Sequence, residues 1–513
     1  MITHSSQSVV RLARGSLVAA LAFGLSGFAV GLKADIYTWD PSGTDGVQSG
    51  SGTWNTTVGN TVWTTDDGAT HAPWANGANS VVFAGDDTGG TISLSTNITV
   101  STSGNSISFL NSGYTLQSDS ATVRIIAMNN STPLLVASGK SMAIGSKVNF
   151  VTGVIGAAGT DSGTIIVGSG GALSSPGNSI ISVFGNGTGV EVAEGGAFAA
   201  QGTIVLGNNT NDHVTLVVNG GDVSTTANTG NLALVNSSSG VTNASVAATL
   251  NSGTITLGGT SGRVVMGNAN SNTVQTTFNL NGGTLTVRGV TDTNTAVSTF
   301  NFNGGTLNAI TGADAIFVSS TINNAIVKAG GAKVDSNDND LTIAAALSHD
   351  STLDGTLDGG FEKLGAGTLT LTGANTYTGA TTVTAGGLAT AATGTFGSGD
   401  ITLAAGTSLT LGNATSIADT ALLVFDSTSV VNLSFVGQET LGGLQLAAGS
   451  SIGAGTYDAD DLNGIFGGNV FNGAGELTIL AAIPEPSTWA LCAGAGALLG
   501  ALVRRRSRRK IQL

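Results

Sequence analysis

Basic residues, cysteine and proline are all scarce in this chain of 513 residues. The one cysteine, Cys492, stands in an apolar tail, so no disulfide holds the body together. An exported chain of that kind depends on burial and on its hydrogen-bond ladders, and this one is long enough to bury a large core. Charged residues make up 9% of the sequence, against roughly a quarter in an ordinary globular domain. Three of the 17 Lys and Arg fall in residues 1–34 and six in 504–510, which leaves eight between. Glu485 is the one acid of 31 in those outer parts, so the body carries 30 acids and a net charge of −22. Such a body has no electrostatic footprint for nucleic acid and no attraction to an anionic membrane surface. Six prolines against 78 glycines mean that turns are made by glycine and by Asn or Asp. With 41% hydrophobic residues and a mean hydropathy of +0.27, disorder is excluded.

What is present is short alternating strands separated by glycine corners. The clearest stretch is Lys363 to Leu388, KLGAGTLTLTGANTYTGATTVTAGGL. Leu369 and Leu371 alternate with Thr368, Thr370 and Thr372, the period-2 pattern of a half-buried strand. Gly373-Ala374-Asn375 breaks the run, Thr381 to Thr384 forms a second strand, and Gly386-Gly387 closes the unit. Two short strands cannot bury an apolar face alone and need copies stacked above and below. Gly365, Gly367, Leu369, Leu371, Gly373, Asn375, Tyr377, Gly379, Thr381, Val383 and Gly386 stand at the characteristic positions of the autotransporter-associated β-strand repeat, which the stretch closely resembles. The resemblance implies one coil of a right-handed parallel β-helix and names no reaction.

Weaker copies fill residues 121–360. FNLNGGTLTV begins at Phe278 and FNFNGGTLNA at Phe300, 22 residues on, with related pieces at Leu216 and Ala248. IVLGN from Ile204, VVMGN from Val264 and VFGNG from Val183 form a second recurring piece. Asn219, Asn251, Asn281 and Asn303 occupy equivalent corners, where stacked amides bond one to the next. At 22 residues per coil, residues 35–480 predict roughly 20 coils. Four of the five tryptophans, Trp39, Trp54, Trp63 and Trp74, lie in residues 35–120, followed by alternating strands at 80–83, 91–94, 97–100 and 106–110. This segment is expected to be an N-terminal β cap, since the first coil has no neighbour to cover it. The alternative is an aromatic platform for sugars. Residues 361–480 hold the repeat and the last coils, ending in GNVFNGAGELTIL.

The two ends read as delivery signals. In residues 1–34, Arg11 and Arg14 precede an apolar run from Leu17 to Val30, the form of a signal peptide, with cleavage expected after Ala34 and Gly31 as the alternative. A retained N-terminal anchor is the other reading. In residues 484–510, Pro484-Glu485-Pro486 leads into the apolar run Trp489 to Val503 and then Arg504, Arg505, Arg506, Arg508, Arg509 and Lys510. That order of motif, single membrane helix and cytoplasmic basic stop resembles the PEP-CTERM sorting signal of Gram-negative bacteria. The resemblance implies an exosortase-type membrane protease as partner, a transient membrane anchor, and association with exopolysaccharide at the envelope, the surface or outside the cell. A plain tail anchor is the alternative. With residues 484–510 read as that signal, a membrane β-barrel after the repeats, as in a true autotransporter, is not expected.

Catalytic chemistry finds little support. His71, His213 and His349 are far apart in sequence and lack metal-ligand spacing. Gly139-Lys140-Ser141 lacks the upstream glycine of a P-loop. Asp335–Asp340 has Asp340 where a calcium loop needs glycine and Ala346 where it needs glutamate, so it reads as a solvated turn, as do Asp458, Asp460 and Asp461. The sequence therefore predicts no catalytic residues, no metal site and no cofactor. The expectation is an all-β, non-enzymatic surface solenoid, with a polysaccharide-active β-helix enzyme or a carbohydrate-binding adhesin as alternatives.

Overall fold

A computed structural model describes residues 36–480, apart from loop positions 43–45, 67, 78, 86–87, 101–104, 130, 158, 176, 178, 227–229 and 237–239. The signal peptide with Ala34, and the sorting motif, apolar run and basic stop of residues 484–510, lie outside the described residues. Among the described residues no helix is long and apolar enough to cross a membrane. The described chain belongs to one compact unit that starts at Ile36.

The alternation of the sequence becomes three ladders of parallel strands, visited in the same order by successive coils. The first face starts with Ile36–Trp39, passes to Ser80–Phe83 and Ile107–Phe109, and continues to Phe471–Gly473. The second runs from Gly52–Trp54 to Leu347–His349. The third runs from Ile98–Val100 to Gly443–Leu446. Inward residues of each strand are buried and their neighbours lie at the surface, as in Thr284–Val287, where Leu285 and Val287 are buried. The FN-NGGT copies stack in register: Phe278 pairs with Phe300, their rings parallel 5.2 Å apart.

The expected 20 coils are too many. Among the described residues the first-face sheet has 18 strands, one of them antiparallel, so 17 coils pass through it. Coils are longer than 22 residues wherever a corner carries a loop: first-face strands begin 44 residues apart between Ile36 and Ser80, and only 19 apart between Thr368 and Gly387.

Both ends of the stack are closed. At the start, Trp63–Thr64 pairs antiparallel with the first strand. Trp39, Trp54, Trp63 and Phe83 pack with ring centroids 5.1–5.8 Å apart, Trp74 lies 5.5 Å from both Trp54 and Trp63, and all four indoles are buried. Buried rings cannot stack on a sugar, so the cap reading is the one this geometry favours. At the far end, Gln438–Leu441 and Glu476–Ile479 pair in parallel, and Gly455–Tyr457 blocks the sheet by running antiparallel. Antiparallel closure at each end hides strand edges that otherwise recruit other chains. The sequence reading missed the helix Ala459–Phe466, whose signal is the Asp458 cap, two acids in the first turn and Gly467 at its end. Its Phe466 ring meets Phe425 at 5.0 Å.

Corner amides tie the coils together. Asn251 Nδ2 donates to Asn219 Oδ1 at 2.9 Å, Asn281 to Asn251 at 2.8 Å, and Asn303 to Asn281 at 3.0 Å. The ladder starts on the Glu191 carboxylate and ends where Gly330 N–H donates to Asn303 Oδ1. The four asparagines chosen from spacing alone thus form one continuous chain of side-chain hydrogen bonds.

Candidate functional site

The repeat stretch is built differently from the coils before it. Phe361–Leu364 lies on the third face and Thr368–Leu371 on the first. The next strand, Thr381–Val383, returns directly to the third face, and Gly387–Thr390 to the first. Two strands per coil is what the sequence pattern predicted here. The second-face strand is replaced by the Asn375–Tyr377 corner, and Asn375 does the work of a backbone. Its Oδ1 accepts from Leu347 N–H at 2.7 Å below, and its Nδ2 donates to the Thr395 carbonyl at 2.6 Å above. Tyr377 is fully buried, its hydroxyl 2.7 Å from Thr381 Oγ1, and burial pushes its pKa up to about 12. Gly360, at φ +72°, packs so closely on the next coil that an added Cβ falls 2.0 Å from the Ala380 carbonyl oxygen.

Lys363 stands in phase with Phe361 on an inward position and is fully buried. Its Nζ donates to the carbonyls of Leu364 (2.9 Å), Gly365 (2.7 Å) and Ala385 (3.2 Å), so one ammonium joins corners of two successive coils. Burial pulls its pKa down to about 8, opposed by Asp335 and Asp340. With this geometry in place, the comparison with known families is decisive for the segment. Residues 361–389 match the family model of the passenger-associated-transport repeat. No curated protein and no solved structure matches the chain. A passenger-associated-transport repeat, an autotransporter-associated element, points to an exported, passenger-like β-helical protein. In this chain the repeat is one coil of a continuous stack, held by Lys363 and Asn375.

The fold also gathers residues that the linear reading kept apart. His349 Nδ1 lies 2.8 Å from Asp358 Oδ2 and 3.0 Å from Thr378 Oγ1. The Asp358 carboxylate is buried and accepts from the amides of Thr378 (2.7 Å), Gly379 (2.8 Å) and Gly360 (2.9 Å). Burial raises its pKa, but those amides and His349 outweigh it and the net shift is downward. A nucleophilic triad needs the acid and the hydroxyl on opposite ring nitrogens. Here both sit on Nδ1, so His349 has no free base aimed at Thr378. The arrangement braces the corner on which the matched repeat begins. Beside it, Gly330, Gly331 and Gly359 floor an open groove of about 360 Å³, edged by the Lys333–Glu362 ion pair at 3.4 Å.

Other predicted positions are corners. Asp335 Oδ1 accepts from Asn337 N–H and Asp340 Oδ1 from Thr368 N–H, with Asn337 and Asp338 left-handed between them. Lys328 holds Asp350 at 2.8 Å and brings that carboxyl down to about 2. His71 pairs with buried Asp40 at 3.1 Å inside the cap, and His213 Nδ1 meets the Asn211 carbonyl at 3.0 Å. Among the described residues no group of three or more His, Cys, Asp or Glu is placed to hold a metal ion.

Proposed function

We propose that this chain is an exported, non-enzymatic β-solenoid that builds or decorates the cell surface or extracellular matrix. Delivery is by the N-terminal signal and a PEP-CTERM tail that an exosortase-type membrane protease reads, after transient anchoring through the apolar run from Trp489 to Val503. Exopolysaccharide is the matrix component it associates with. The observation that carries the reading is the passenger-associated-transport repeat seated as one coil in an uninterrupted stack. Right-handed winding is part of the proposal and is supported by the strong preference of parallel crossovers for that hand. Its non-enzymatic character is supported by two of the buried carboxylates, Asp358 and Asp212, which are occupied by backbone amides.

The tail supplies the test. Pro484 and Pro486 lack N–H groups, and a residue that precedes proline disfavours helix, so the motif suits a protease that reads extended substrate, while the basic cluster is the proposed stop on the cytoplasmic side. Glu485→Ala, or replacement of 504–510 by neutral residues, is expected to leave the protein exported but unprocessed or mislocalised on fractionation. If both variants reach the surface with a wild-type mature mass, the sorting reading fails and residues 484–510 are an ordinary tail anchor.

A further inference from the structure

The second face has no strand between Leu347–His349 and Gln438–Leu441. Across the intervening coils the column is a stack of loops joined by scattered bonds in place of a strand ladder, such as Phe396 N–H to the Ser416 carbonyl at 2.8 Å and Ser398 N–H to the Tyr377 carbonyl at 2.9 Å. The last joint is made by a side chain. Glu439 stands on an inward position of its strand, in phase with buried Leu441, and is itself 1% exposed. Its Oε2 accepts from Ser416 N–H and its Oε1 from Ile417 N–H, both at 2.9 Å. Those two bonds tie the second-face part of the closing segment, residues 438–480, to the loop beneath it, beside the pairing of Gly443–Leu446 with Leu422–Phe425 and of Phe471–Gly473 with Val430–Leu433.

Among the described residues no cation pairs with this carboxylate. From Leu364 to Leu480 the sequence contains no Lys, Arg or His, against eight acids including Glu439. The titratable groups on the elements around it are Asp419 on the loop, Glu476 on the paired strand, Tyr457 on the antiparallel strand, and Asp458, Asp460 and Asp461 at the helix start. All are acids or a phenol, so an ionised Glu439 is buried without a counter-charge, with Asp419 adding like charge.

We propose that Glu439 is a proton-operated latch that seats the closing segment firmly when its carboxyl is protonated and loosens it when the carboxyl ionises. Burial pushes this carboxyl up to about 7; the Ile417 and Ser416 amides oppose the rise and Asp419 adds to it. A raised folded pKa means the closed state binds the proton more tightly than the open one. Stability of closure is therefore fully present below the ordinary carboxyl range and declines as pH rises toward 7. With an ordinary carboxyl in the open state, the local opening constant is expected to grow about tenfold between pH 6 and pH 8. Opening bares the ladder edge of Val430–Leu433, which pairs with Phe471–Gly473, and leaves it available to another chain.

Hydrogen exchange by mass spectrometry, corrected for intrinsic rates, tests this on the whole exported protein. Peptides covering 413–419 and 436–445 should exchange about tenfold faster at pH 8 than at pH 6. Peptides covering 275–287 should not change. Glu439→Gln keeps an oxygen acceptor without a titratable proton and should abolish the pH dependence. Asp419→Asn leaves the latch in place and should move the transition to lower pH. A flat wild-type profile, an equal rise at 275–287, or an undiminished rise in Glu439→Gln overturns the proposal.

Discussion

Replacing Lys363 by methionine separates two accounts of the repeat coil. The side chain is fully buried, and methionine fills nearly the same volume without a charge. If the charge were merely tolerated, removing it would leave stability unchanged or raise it, as happens at some buried ion pairs. The geometry argues otherwise, because the ammonium serves three carbonyls. The Leu364 carbonyl also accepts the Ser336 amide, so the loss falls mainly on Gly365 and Ala385. Two buried acceptors left without a donor, at about 1–3 kcal/mol each, set the loss at about 2–6 kcal/mol. Relief of the buried charge offsets part of that, and about 3 kcal/mol is the expected net. Because each coil touches only its neighbours, the effect stays local. Denaturant unfolding read by circular dichroism gives the magnitude, and hydrogen exchange places it at 361–390. A Lys363→Met protein as stable as wild type, with protection unchanged there, refutes the argument. The pH sign is also fixed: a lowered folded pKa means the folded state binds fewer protons, so the cost of burying the Lys363 charge fades as pH rises from about 8 toward the ordinary lysine range.

Three further outcomes follow from other contacts. Asn281→Ala removes a link from the exposed amide ladder and should lower stability by about 1 kcal/mol in denaturant titration, while Asn281→Asp, facing Asn251 Oδ1 with no proton to share, should lose at least as much. Gly360→Ala places a Cβ against the Ala380 carbonyl at a left-handed backbone position and should cost more than about 2 kcal/mol, visible as a drop in melting temperature. The exported body should release no reducing sugar from a panel of polysaccharides; release abolished by a single Asp→Asn change would show that the chain is an enzyme.

Much of this architecture was legible because strands and corners are local. Alternation located the cap strands to within a residue or two, as at Ser80–Phe83, and the Asn-Gly corners gave the ladder from Asn219 to Asn303. Coil number was not legible, since residues 40–79 and 442–470 lengthen the chain without adding a parallel first-face strand. Nor were the buried ions assigned a role. Lys363 and Glu439 look like surface residues by type, and only their phase with Phe361 and Leu441 betrays inward positions. Asp358 and His349 come together through coil stacking, which no linear spacing encodes. The helix Ala459–Phe466 carried its cap in the sequence, but eight residues amid strands give a short helical period little weight.

The central claim, an exported solenoid delivered by its two end signals, is tested most directly by the intact mass of the mature protein. The full chain should be expressed in a Gram-negative host with an exosortase-type protease, then recovered from envelope and medium. The account predicts a surface or extracellular species that begins at residue 35 and has lost the apolar run and basic cluster that follow Pro484-Glu485-Pro486. A protein of full-length mass retained in the cytoplasm would contradict it.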